Sequence, residues 1–127
     1  MIKFLVVDDE EGVSEQLKQF LEERKYSVFA ATDGPTALEI AKRERPNIVL
    51  LDVRMPRMSG LDVLRELKKI DTKIRVIMLT GFEDPTARDM AKELGASAYI
   101  TKPYNYDAIV ALTRRLISEI YQESGGQ

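Results

Sequence analysis

Five short aliphatic runs, each followed by a stretch of helical periodicity, restrict the fold of this chain more than any other feature. The runs are KFLVV (3–7), SVFAA (27–31), NIVLL (47–51), the segment 74–79 containing RVIML, and SAYI (97–100). After the first, Val13, Leu17, Phe20 and Leu21 recur at helical spacing, and GPTALEIAKRER, GLDVLRELKK and DPTARDMAKELG separate the others. Strict alternation of this kind predicts (βα)5, an α/β fold whose parallel sheet is covered on both faces. That is why the runs are continuously apolar rather than alternating. Pro35 and Pro85 suit first-turn positions, Asp84 an N-cap, and Gly95 the residue just past a helix. The last helix is predicted over 106–121. Residues 122–127, QESGGQ, read as a frayed end or the start of a linker, which leaves 1–121 as one domain.

Composition narrows the chemistry. The 127 residues include no cysteine and no histidine. That removes disulfides, thiolate zinc sites, Ser-His and Cys-His nucleophile pairs and phosphohistidine, and leaves carboxylates, hydroxyls and lysine. A net charge of -2 offers no broad basic field for direct nucleic-acid binding. The start MIKFLVV breaks at once into DDEE and no apolar run is long enough to span a membrane, so no membrane role is expected and a cytoplasmic location is.

In IVLLDVRMPRMSG (48–60) a buried run ends on Asp52. A carboxylate at the mouth of a core needs compensation, and the other run ends carry candidates: Asp8 and Asp9, Thr80 and Gly81, and Lys102 followed by Pro103. Singly, each has an ordinary explanation as a cap, a solvated loop acid or a turn. In an open parallel sheet, however, ligands bind beyond the carboxyl ends of the strands, where strand order reverses. There these groups converge, and three close carboxylates resist full ionisation without cations. With the strands in the order 2-1-3-4-5, Asp52 is central and reads as the nucleophile. Asp8 and Asp9 offer oxygens for Mg2+, Thr80 a short hydroxyl, and Lys102 a long cationic reach from two strands away. These are the parts for phosphoryl transfer onto a carboxylate.

At these residues the chain resembles the receiver domains of two-component response regulators, the chemotaxis-regulator-like family, over roughly residues 2–121. The resemblance rests on DD at 8–9, LLDVRMPRMSG around Asp52, MLTG around Thr80 and AYITKP around Lys102. It implies a flavodoxin-like fold and a phosphorylation-activated signalling switch. Asp52 would take its phosphoryl group from a sensor histidine kinase or a histidine phosphotransfer protein, and no enzymatic activity beyond the chain's own phosphorylation and dephosphorylation would follow. It further implies Mg2+ held by Asp9, Asp52 and the Arg54 backbone carbonyl with Asp8 in support, phosphoryl contacts from Thr80, the Gly81 backbone and Lys102, and a cis Lys102–Pro103 bond. Arg54 and Phe82 hold positions that modulate hydrolysis in the family. Tyr99 resembles its switch aromatic, so the helix 4, strand 5 and helix 5 face is the one expected to change.

Other readings stay open from the sequence. A haloacid-dehalogenase-like phosphohydrolase also uses a strand-end aspartate, but wants a second acid where Arg54 stands. A flavodoxin would place its phosphate loop where DDEEG stands, and the acids there would repel a flavin phosphate. A phosphate-inert scaffold of the same fold is the third. Partners could be a downstream protein target, an output domain absent from this chain, or a second copy in a phosphorylation-dependent homodimer. Ser97 and Ala98 lack the acid that many winged-helix relatives use in that dimer. On the last helix, Ile109, Leu112, Leu116 and Ile120 make the core stripe, while Val110, Ile117 and Tyr121 widen it into either a broad core face or a partner patch.

Overall fold

The computed structural model describes residues 1–81 and 83–125. Its elements alternate throughout: β1 (Lys3–Val7), α1 (Glu11–Glu23), β2 (Ser27–Ala31), α2 (Gly34–Glu44), β3 (Ile48–Asp52), α3 (Gly60–Ile70), β4 (Arg75–Thr80), α4 (Pro85–Glu93), β5 (Ala98–Thr101) and α5 (Tyr106–Gly125). All strand pairs are parallel, and the sheet order is β2-β1-β3-β4-β5. The predicted α/β, doubly wound, flavodoxin-like architecture is the one observed.

Side chains alternate across the pleat, so each central strand feeds two cores. Phe4, Val6, Ile48, Leu50, Ile77 and Leu79 pack with Leu17 and Leu21 of α1 and Ile109 and Leu116 of α5. Leu5, Val7, Val49, Leu51, Val76 and Met78 pack instead with residues of α2, α3 and α4, including Ile40, Leu64, Leu67 and Ala91. Fully burying such side chains stabilises the fold by about 1.5–3 kcal/mol each. That is why β1, β3 and β4 contain almost no polar residue until their carboxyl ends.

The helix starts follow local hydrogen bonding. Asp84 caps α4 by accepting from the Ala87 N–H at 3.2 Å, with Pro85 in the first turn, as predicted. Asp33 does the same for α2 through Thr36 at 2.8 Å, and Ser59 for α3 through Asp62 at 3.2 Å. Gly95 follows α4 with φ of 97°, in the left-handed region that suits glycine.

The predicted end of α5 needs correction. The helix continues four residues past Tyr121 to Gly125, while residues 126–127 lie outside the described residues. Arg75, at the start of β4, pairs with Glu119 at 3.7 Å and Glu123 at 2.6 Å, fastening the extra turn to the sheet. Of the second apolar stripe on α5, Ile117 packs into the core beneath α1 and α5, whereas Tyr121 is 58% exposed. The broad-core reading therefore accounts for Ile117 but not for Tyr121. Urea denaturation should show Ile117→Ser losing about 1–2 kcal/mol and Tyr121→Ser staying within about 0.5 kcal/mol of the parent; equal losses would contradict this placement.

Candidate functional site

The register of the strands assembles the site. Val7 lies beside Leu51, so Asp8 and Asp52, one residue further on, emerge side by side from neighbouring strands. Asp8 continues the row Phe4, Val6, and Asp52 the row Ile48, Leu50, both directed to the α1 and α5 side of the sheet. Lys102 continues Ala98 and Ile100 on that same side. Its Nζ reaches past two strands to Asp8 Oδ2 at 3.2 Å, an ion pair between residues 94 positions apart. Thr80 continues the opposite row, Val76 and Met78, as does Tyr99, which lies beside Met78 and packs against the core under α2, α3 and α4. The pleat thus puts the acids and lysine on one side and the Thr80–Tyr99 pair on the other.

Burial differs sharply among the predicted residues. Asp8, Asp52 and Thr80 are buried, Lys102 and Tyr99 are half-buried, and Asp9, Arg54 and Gly81 are exposed. Phe82 lies outside the described residues. The carboxylate oxygens of Asp8, Asp9 and Asp52 fall within 4.8 Å of one another. Three hard oxygen donors so close, two of them buried, could hold a divalent metal ion. Asp8 Oδ1 also accepts the Glu10 N–H at 2.9 Å, and Asp52 Oδ1 the Arg54 N–H at 3.3 Å. The Lys102–Pro103 bond is cis, and the Lys102 N–H donates to the Thr80 carbonyl at 2.6 Å, tying the lysine loop to the end of β4.

Electrostatically, Asp52 is the group under pressure. Burial first, then the charge of Asp8 and to a smaller degree that of Asp9, push its carboxyl from the ordinary 3.8 up to about 6; Lys102 and the Arg54 N–H pull the other way. Two features of this environment have little sequence signature. Gly60 opens α3 directly against β3: its N–H donates to the Val53 carbonyl at 2.8 Å, and a side chain there would overlap the Asp52 carbonyl oxygen. Only glycine permits that approach, which fixes the Asp52 backbone. Tyr104, two residues after Lys102, has its phenol pushed to about 12, by burial first and then by Tyr106, Asp8 and Asp52. Its position directly after Lys102–Pro103 was the one clue available in the sequence.

The comparisons with known proteins agree with this geometry. The sequence model of the response regulator receiver domain matches residues 4–114. The chain belongs to the response regulator receiver domains. Such receiver domains are phosphorylation-activated signalling modules of two-component systems. This one is 39% identical over 107 residues to sporulation initiation phosphotransferase F of Bacillus subtilis, covering 84% of this chain and 86% of that protein. The probable transcriptional regulator ycf27 of Porphyridium aerugineum is also 39% identical, over 122 residues and 96% of this chain, but the receiver spans only 50% of that regulator. A response regulator protein from Burkholderia pseudomallei, solved with a phosphorylated aspartic acid, a calcium ion and citrate, has a TM-score of 0.85 at 31% identity, covering 98% of this chain and 73% of that one. No described helix of the receiver is long and apolar enough to cross a membrane.

The raised carboxyl of Asp52 sets a pH dependence for the metal-free receiver. A folded-state value above the unfolded one means that the folded chain holds its proton longer, so stability falls as pH rises from about 4 to about 6, by up to roughly 3 kcal/mol. Asp52→Asn removes this loss. With a chelator present, urea melts of the two proteins should coincide near pH 4, and the variant should be the more stable by about 1–3 kcal/mol above pH 7; a pH-independent difference would contradict the origin assigned to it.

Proposed function

We propose that this receiver takes a phosphoryl group on Asp52 from a sensor histidine kinase or a histidine phosphotransfer protein and thereby switches a downstream target. The observation that carries the reading is the clustering of Asp8, Asp9 and Asp52 within 4.8 Å, with Lys102 held at 3.2 Å from Asp8. The family membership and the phosphorylated aspartic acid of the Burkholderia pseudomallei relative support it.

In this reading an Asp52 carboxylate oxygen attacks phosphorus, and the bond from phosphorus to the donor imidazole nitrogen breaks. The imidazole keeps the electron pair, and an acyl phosphate forms. Asp9, Asp52 and the Arg54 carbonyl, supported by Asp8, would hold Mg2+, which when bound offsets charge on the phosphoryl oxygens. Lys102 lies on the same side of the sheet as Asp52 and can leave Asp8 to meet the new phosphoryl charge as a point cation. Thr80 and the Gly81 N–H would make the remaining phosphoryl contacts. Because the carboxyl of Asp52 sits at about 6, most of it is ionised and nucleophilic at neutral pH. No catalysis beyond the chain's own phosphorylation and dephosphorylation is needed.

Phosphorylation adds roughly -1.5 to -2 charges. In the proposed switch, Thr80 and Tyr99, neighbours on the α4 side of the sheet, carry that change to the α4–β5–α5 face. The reader of that face would be a separate protein, an output domain beyond the end of α5, or a second receiver. A cytoplasmic location follows from the kinase partnership.

Intact-mass measurement with Mg2+ and a small phosphodonor should show one acid-labile phosphoryl group on the parent and none on Asp52→Asn; an undiminished adduct on the variant would refute the assignment. Arg54, which is exposed, and Phe82 hold the family positions expected to flank the path of the attacking water, and large side chains there would deny it the in-line position. Slow autodephosphorylation is therefore expected. Replacing Arg54 by Asn and Phe82 by Glu, singly and together, should hasten phosphoryl loss with Mg2+ present. Decay that is unchanged or slower in the double variant would overturn the shielding.

A further inference from the structure

Between the proposed phosphoryl site and the α4–β5 surface lies a polar network that the phosphorylation chemistry does not use. Arg88 of α4 grips Glu83 with both arms of its guanidinium, Nε to Oε1 at 2.8 Å and the second nitrogen to Oε2 at 2.9 Å. Glu83 Oε2 also accepts the Thr101 hydroxyl at 3.1 Å, so one carboxylate joins the β4–α4 loop, α4 and the end of β5. The Arg88 hydrogen bonds hold the Glu83 carboxyl below the usual carboxylate range against a smaller opposing effect of burial, and Thr101 adds to the lowering. Held this way, the guanidinium lies over the Tyr99 ring with its central carbon 4.6 Å from the ring centroid.

Tyr99 is turned inward, its ring packed against the core beneath α2, α3 and α4. That orientation has a cost. Among the described residues no group meets its buried hydroxyl with hydrogen-bond geometry, although Thr80 stands near enough to favour ionisation of the phenol against the dominant effect of burial. The buried hydroxyl opposes the inward orientation, and the apolar packing of the ring favours it. The guanidinium face on the ring adds to that packing, and its planar fork is already oriented by Glu83.

We infer that Arg88 is a positioning residue for the switch: fixed by Glu83 and Thr101, it holds Tyr99 inward before any phosphoryl group arrives. The inference rests on the proposed role of Tyr99. Exposed ion pairs contribute little when isolated, but this one is bidentate and shared with a third group, so it supplies geometry rather than charge alone. The receiver is thereby biased toward the inward conformer. Because a ligand specific for one conformer binds in proportion to that conformer's population, the bias also raises affinity at the phosphoryl site. Breaking the network releases Tyr99 while leaving Asp52, Asp8 and Lys102 untouched.

The test uses the whole chain labelled with 3-fluorotyrosine, with the Tyr99 resonance assigned by its absence from Tyr99→Phe. In Arg88→Ala and in Glu83→Gln the inward-to-outward ratio of Tyr99 should fall by about two- to fivefold, the range that an exposed ring–cation contact supports. Arg88→Lys keeps the charge but not the fork, and should fall between Arg88→Ala and the parent. The affinity for beryllofluoride with Mg2+, titrated separately, should drop by the same factor as the population. Thermal melts identify any variant that has lost its fold, and the others carry the comparison. An unchanged Tyr99 signal in folded Arg88→Ala, or full retention in Arg88→Lys, would overturn the inference. If the parent fails to bind beryllofluoride at all, the proposed phosphoryl site is what fails, since the Tyr99 populations are read in the free protein.

Discussion

The ion pair between Lys102 and Asp8 joins the β5 end of the sheet to β1 across β3 and β4. Around it the rest of the site is arranged. Two buried carboxylates on adjacent strands repel each other, and a fold that places them at the end of an apolar sheet must offset that repulsion. Lys102 offsets part of it, and burial, together with the repulsion that is left, raises the carboxyl of Asp52. A divalent cation entering the site would meet negative charge already concentrated at one point. The pressure on Asp52 makes the site less stable than a neutral one and suits it to a cation.

The central strands explain why such a site can exist at all. Both faces of β1, β3 and β4 are covered, so their polar residues are confined to the strand ends, Lys3 and Arg75 at the amino ends and Asp52 and Thr80 at the carboxyl ends. The parallel arrangement brings all three carboxyl edges to the same end. Alternation across the pleat then divides labour. Asp8, Asp52 and Lys102 lie toward α1 and α5, whereas Thr80 and Tyr99 lie toward α4. In the proposed switch, the chemistry on one side and the transmission on the other would meet at Thr80, whose carbonyl also receives the Lys102 N–H. Gly60 closes the arrangement from beneath, by allowing α3 to begin against the backbone of Asp52.

Much of this was legible before any coordinates. Apolar runs alternating with helical periodicity specified five parallel strands with helices on both faces, because only full burial explains runs such as IVLL. The acids at 8, 9 and 52, together with Thr80 and Lys102, stood at run ends, which a parallel sheet gathers along one edge. Pro85 and Asp84 gave the start of α4 and Gly95 its end, since their backbone preferences are local. The end of α5 was less legible: QES is compatible with helix or tail, and the pairing of Arg75 with Glu119 and Glu123 is a contact between distant segments.

By itself, then, the sequence determined the elements, their order in type and the chemical inventory of one edge, because these depend on local propensity and on periodicities of two and 3.6 residues. Tertiary structure alone decided which groups touch. That Lys102 reaches Asp8 depends on the stacking order of four strands. That Gly60 must be glycine depends on how closely α3 approaches β3, and that Tyr99 faces inward beneath Arg88 depends on a carboxylate shared by a loop, a helix and a strand. Each is a distance between residues remote in the chain or in different elements, and no local preference encodes such a distance.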